Sequence, residues 1–272
     1  MRKKQAFLLA LPAVLALTVF FLAPMLYILI KTLATNGLSD FVRFFTDPFY
    51  LDILWTTVRV SLVSTLVSLL LGYPTAYYMA RTRSRMKKVM MVIILFPFLV
   101  SAVVRSYGWM VILGKNGLLN QFLLGLGLVQ KPLSILNTET AVIIGMIHLL
   151  IPYMILSLVG VLQSIDPNVE YAAYSLGANP METFCKVIFP LSLPGILSGI
   201  TMVFVPAVST FYISQKMGSS GTTLIGDVIE SQFKAAYNPN LGAALSLALM
   251  VLVFACTAVM NRFGDGEEVV VL

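Results

Sequence analysis

Six apolar runs constrain this chain more than any other feature. They lie at about 6–30, 58–80, 89–113, 141–163, 191–215 and 241–260, and each is long enough to cross a hydrocarbon layer of ~30 Å at ~1.5 Å per residue. A backbone in lipid must satisfy its own N–H and C=O groups, so runs of this length predict spanning helices. The expected fold class is all-α: a polytopic membrane protein of six transmembrane helices forming a single domain over 1–272. Composition agrees, with 58% hydrophobic and 11% charged residues and a mean hydropathy of +0.91, where a soluble domain carries about 25% charged residues. The first run follows Arg2, Lys3 and Lys4, and it is too long for a signal-peptide core. The third is firmly apolar to Val104 and either ends near Arg105 or continues toward Leu113.

The basic residues give the orientation. Arg81, Arg83, Arg85, Lys87 and Lys88 crowd one short segment without an acid, and positive charge marks the cytoplasmic side. Six crossings then leave both termini and the loop after the fourth run in the cytoplasm. Thr32 to Trp55, Lys115 to Thr140 and Lys216 to Asn240 become outside loops. In the first of these, Phe41, Phe44, Phe45, Phe49 and Tyr50 are expected to rest at the interface. Arg59, at the outer end of the second run, is expected to reach for water. The net charge of +6 is thus a topology signal rather than a nucleic-acid footprint.

One long polar stretch, DPNVEYAAYSLGANPMETFCKVIFPLSLPGI, runs from Asp166 to Ile196. Asp166 is placed to cap a helix with Pro167 at its first position, where a missing N–H costs nothing. Val169, Ala172, Ala173 and Leu176 share a helical face, and Gly177 supplies the left-handed stop. Asn179, Pro180 and Glu182 carry the capping-box signature of a second helix. Pro190 and Pro194 mark the return to an apolar run. Helix, glycine, helix is a soluble docking device.

Within that stretch, Ala172-Ala173, then three residues, Gly177, nine residues and Val187-Ile188-Phe189-Pro190 resemble the EAA loop of the membrane-spanning subunits of ABC importers. Tyr171 stands where the pattern has Glu, and Glu170 lies one residue earlier. The resemblance implies a type I importer permease (MetI-like) fold. It also implies that loop 166–190 docks on an ATPase through Glu170, Tyr171, Ala172, Ala173, Leu176, Gly177, Met181 and Phe184.

From about Phe49 onward the chain also resembles the permeases of the spermidine/putrescine importers. The elements that carry this are Leu71-Gly72-Tyr73-Pro74, Phe96-Pro97-Phe98, Val104-Arg105-Ser106-Tyr107-Gly108-Trp109, Asn116-Gly117-Leu118-Leu119-Asn120 and Pro206 to Met217, with Leu224-Ile225-Gly226 through Gln232-Phe233. That resemblance implies a polyamine solute, a dimer of ABC ATPase subunits, a second and different permease subunit, and an extracytoplasmic solute-binding protein. It places the chain among lipids of the cytoplasmic membrane, with no cofactor, metal or nucleic acid.

A polyamine is best held by carboxylates and aromatic faces in a dry path. Tyr107, Trp109, Phe211 and Tyr212 offer the faces, with Ser214 beside them, while no Asp or Glu lies inside any expected span. Phe211 and Tyr212 follow Pro206 and either line a path in the outer half of the fifth helix or anchor it at the interface. Pro97, Pro152 and Pro206 are either bends along that path or ordinary prolines of membrane helices. His148, with no nearby Cys, Asp or Glu, reads as a packing residue. Arg105 has the wrong sign for a cation ligand and suits a lipid phosphate, a helix C-terminus or a partner protein.

Other classes fit less well. The chain has no GxxxxGK[ST], so ATP hydrolysis would belong to a partner and the chain itself is not expected to be an enzyme. A secondary transporter keeps ionisable groups at midplane, and a membrane enzyme needs a nucleophile, an acid–base pair or a metal cluster. Cys185 and Cys256 form no CxxC. The alternative that remains is a related importer permease for another small cationic or amino-acid-like solute.

Overall fold

A computed structural model describes residues 11–36 and 38–264. Arg2, Lys3, Lys4, the first five residues of the expected first span and the tail from Asp265 lie outside the described residues. No strand occurs among the described residues. Among the described residues, five helices are long and apolar enough to cross a membrane, and one bent pair brings the count to as many as six. Contacts divide the chain into two units, one built from residues up to Leu51 with Val228–Leu252, the other from Asp52–Asp227 with the residues from Val253.

In the first unit, α1 (Leu11–Thr35) is continuous through a π turn at Thr18–Leu22. α2 (Ser39–Thr46) and the start of α3 (Pro48–Arg81) replace the loop expected from Thr32 to Trp55. The cause is local: Asp47 Oδ1 accepts the Phe49 N–H at 3.0 Å, and Pro48 takes the first helical position. Phe44 and Tyr50 are buried rather than resting at an interface, with ring centroids 6.2 Å apart, whereas Phe45 and Phe49 stay exposed.

The second unit is built around α3, α7 (Glu139–Ser164) and α9 (Pro180–Ser209). α3 and α7 run side by side in the same direction. Arg59 meets Glu139, Ser64 Oγ lies 3.7 Å from Met146 Sδ, and Arg81 Nη1 reaches the carbonyls of Leu162 and Ile165. α9 lies antiparallel on α7 through Gly195 and Gly199, spaced as G-x-x-x-G. A methyl group on Gly195 would stand 2.8 Å from Val161 Cβ, and one on Gly199 would stand 2.6 Å from Met154 Sδ. Ser157 Oγ donates to the Gly195 carbonyl at 3.2 Å across this seam.

The third apolar run is not one straight span. α4 (Met86–Leu99) and α5 (Ala102–Leu113) are separated by Val100 and Ser101, and the helical course turns there by 103°. Pro97 removes one donor near the end of α4, and Ser101 Oγ accepts the Val103 N–H at 3.3 Å to start α5. Beyond α5, α6 (Leu118–Gly125) folds part of the connection to α7. A Cβ on Gly117 would stand 2.4 Å from the Ile112 carbonyl oxygen, so only glycine fits. Buried Asn120 donates to the carbonyls of Gly114 and Leu133 at 3.0 and 2.9 Å and accepts the Leu133 N–H at 2.7 Å.

The fifth span also ends sooner than the apolar run does. α9 stops at Ser209, where Ser209 Oγ donates to the carbonyls of Val205 and Pro206 and Thr210 is extended. A separate short helix, α10 (Tyr212–Met217), comes next and packs on α5 and α7. α11 (Ile225–Lys234) and α12 (Pro239–Gly264) complete the described residues.

Candidate functional site

The first helix of loop 166–190 starts one residue later than its cap signal predicts. Pro167 stands at the N-cap rather than at the first helical position, α8 (Asn168–Ser175) begins after it, and Asp166 Oδ1 accepts the Asn168 N–H at 2.9 Å from just outside the helix. Gly177 has φ +88°, the left-handed region that glycine enters at least cost. It closes a Schellman turn: the Gly177 N–H donates to the Tyr174 carbonyl at 3.0 Å and the Ala178 N–H to the Ala173 carbonyl at 3.1 Å. Asn179 then opens α9 with a complete capping box. Its side chain accepts the Glu182 N–H at 2.9 Å, while Glu182 Oε2 accepts the Asn179 N–H at 3.1 Å. Pro190 does not interrupt α9, which passes through a π turn at Phe184–Ile188 and runs on without a break.

The named loop residues separate into two faces. Tyr171, Leu176 and Met181 are exposed to 65%, 88% and 70%, and Ala172 is exposed beside them. Glu170, Ala173 and Phe184 turn the other way. Ala173 is buried, and the Phe184 ring meets Tyr73 and Tyr77 of α3 edge-on at 5.6 and 6.2 Å. Glu170 Oε1 pairs with Arg81 Nε at 2.6 Å, with side-chain exposures of only 13% and 17%. Tyr77 donates to Glu170 Oε2 at 3.3 Å, and Arg81 Nη1 donates to the carbonyls of Leu162 and Ile165 at 3.1 and 3.0 Å. Those carbonyls lie in the last turn of α7, where intrahelical partners run out.

The aromatic set expected along a path falls on α5 and at the start of α10. Tyr107 is half-exposed. Trp109 is half-buried and meets His148 edge-on at 5.5 Å, which gives that histidine its packing partner. Phe211 caps α10, and Tyr212 opens it with the Lys216 ammonium 5.9 Å from its ring centroid. Ser214 is buried and spends its hydroxyl on the Phe211 carbonyl at 2.7 Å. Phe211, Tyr212 and Ser214 therefore lie past the end of the fifth span, not in its outer half. Arg105, Trp109 and His148 border a cavity of about 10 Å³, room for roughly one water.

Sequence reasoning counted Arg81 only as a topology charge and did not single out Tyr77. The signal was present: they stand four residues apart at the end of the second run and so share a helical face. The G-x-x-x-G at Gly195 and Gly199 was legible on the same terms.

Residues 68–265 match the family described as binding-protein-dependent transport system inner membrane component. The spermidine/putrescine transport system permease protein PotB of Haemophilus influenzae is 36% identical over 243 residues, 86% of this chain and 85% of that protein. PotB of Escherichia coli K12 is 35% identical over 246 residues, 87% of this chain and 90% of that protein. Among solved structures, a chain of a bacterial ABC transporter involved in import of the acidic polysaccharide alginate superposes with a TM-score of 0.81 at 16% identity, covering 98% of this chain and 97% of that one. A chain of the inward-facing MetNI methionine ABC transporter gives 0.61 at 17% identity, covering 80% and 97%. At such identities the structural likeness establishes the fold, that of ABC importer permeases. With the family matched over residues 68–265 and PotB permeases homologous over most of its length, the chain belongs to the binding-protein-dependent transport system inner membrane components.

Proposed function

We propose that this chain is the permease subunit of an ATP-driven importer of polyamines. The observation that carries the solute class is the 36% identity to a spermidine/putrescine permease across 86% of the chain. Geometry supports the coupling role. A loop capped at both of its helices presents Tyr171, Leu176 and Met181 to a partner, while Arg81 and Glu170 tie it to the spans. The Arg81–Glu170 contact also brings the basic segment 81–88 beside loop 166–190, and the charge of that segment supports reading this side as cytoplasmic. The partners are then a dimer of ABC ATPase subunits on the loop, a PotC-like second permease, and an extracytoplasmic solute-binding protein. Lipid covers the exposed apolar faces, and both termini are cytoplasmic.

Tyr107, Trp109, Phe211 and Tyr212 line the outer part of the solute route in this reading, whereas Ser214 is buried with its hydroxyl spent on the backbone. With no carboxylate inside the six apolar runs, selectivity rests with the solute-binding protein. The test is labelled spermidine uptake by the reconstituted complex, with putrescine and basic amino acids as competitors. Leu176→Glu with Met181→Glu should lower ATPase co-purification about tenfold or more by placing charge in an apolar contact, with membrane insertion unchanged. Full co-purification would refute the docking face, and competition by amino acids but not polyamines would refute the solute.

A further inference from the structure

Glu170 and Tyr171 are neighbours in sequence and face opposite ways. Tyr171 stands out from the loop at 65% exposure, and Glu170 turns in to a mostly buried arginine. We propose that Glu170, Arg81 and Tyr77 form a clamp that passes movement of loop 166–190 to α3 and α7, and that Glu170 acts as a positioning residue, not as a docking contact. The proposal rests on reading that loop as the ATPase-coupling element.

The loop is joined covalently to α7 through Ile165 and continues directly into α9, but it has no such link to α3. The clamp supplies one. Arg81, at the end of α3, holds Glu170 Oε1 at 2.6 Å and the last-turn carbonyls of α7 at 3.1 and 3.0 Å. Tyr77, one helical turn earlier, donates to the other carboxylate oxygen at 3.3 Å. One guanidinium therefore grips two helices and the loop. Because the pair is mostly buried, salt screens it little. Arg81 Nη2 is also buried without a partner, so neutralising Glu170 leaves the cation held by two carbonyls alone. Such a joint resists shear between the loop and α3, which apolar ring contacts at Phe184 permit more readily.

The experiment compares labelled uptake with ATP hydrolysis in the reconstituted complex, together with ATPase co-purification. Glu170→Gln should lower uptake per ATP hydrolysed about fivefold, with the ATPase still bound. Tyr77→Phe, a milder change that removes a single hydroxyl, should lower it about twofold and add nothing in the Glu170→Gln background. Arg81→Lys should fall between wild type and Glu170→Gln, since it keeps the charge but loses the fork. An unchanged uptake-to-hydrolysis ratio in Glu170→Gln, or a Tyr77→Phe effect undiminished in that background, overturns the clamp. Release of the ATPase by Glu170→Gln alone makes Glu170 a docking contact and also overturns it. If the wild-type chain itself fails to hold an ATPase, the coupling reading falls first and the clamp with it.

Discussion

The α3–α7 pair carries an arginine–glutamate contact at each end, and the two ends are built differently. Arg59 and Glu139 meet with side-chain exposures of 48% and 29%, and Arg81 and Glu170 with 17% and 13%. Arg59 satisfies one partner at the rim. Arg81 satisfies a carboxylate and two carbonyls, and its carboxylate receives a tyrosine hydroxyl as well. Exposed pairs contribute about 0–1 kcal/mol because water competes for both charges. Breaking a buried pair costs about 3–5 kcal/mol because the remaining charge is stranded. The same two residue types thus fasten one end of the helix pair and only decorate the other.

The sharpest way to break this comparison is to remove one cation at a time. Arg81→Met should destabilise the purified complex by about 3 kcal/mol, since it strands Glu170 and uncaps α7. Detergent-phase chemical unfolding reads this directly, and a loss no larger than that of an Arg59 variant would erase the distinction. Next in size is Gly177→Val, which leaves the ion pair intact and strains the turn beside it. A methyl at Gly177 meets nothing within 4 Å, so the penalty is backbone strain at φ +88°, about 1–3 kcal/mol. Uptake per complex should fall while insertion persists, and Gly177→Asn should retain more activity because asparagine tolerates that region. Smallest is Arg59→Gln, with a stability change under about 1 kcal/mol that shrinks further as salt rises. A large, salt-independent loss there would show that the Arg59–Glu139 pair is a fastening too.

The parts of this molecule legible in its sequence are those that one local signal determines. Caps at Asn179–Glu182 and the stop at Gly177 fall where residue type alone puts them. An Asp-Pro pair also opens α3 at Asp47–Pro48, yet the aromatic and charged mixture before it hid α2, although Phe41, Phe44 and Phe45 have helical spacing. Breaks inside apolar runs are harder to see. Val100–Ser101 and Thr210 interrupt runs that are apolar on average, because local hydroxyls and prolines end those helices where overall hydropathy gives no signal. Within the site, exposure of Leu176 and Met181 agrees with an amphipathic loop, whereas the inward turn of Phe184 depends on two tyrosines of α3. Arg81 and Glu170 lie 89 positions apart. No local pattern joins them, and only the parallel course of α3 and α7 does.

α9 has one more consequence. From the cap at Asn179 to Ser209 it is one continuous helical course of 30 residues, bearing on α7 at Gly195 and Gly199. Taking that seam as a fulcrum, the arm toward the loop is about 26 Å long and the arm toward Ser209 about 18 Å, at the helical rise per residue. A lever of those proportions gives up travel for force: a shift of about 3 Å at the loop arrives as about 2 Å at the far tip, delivered beside the residues that follow Ser209.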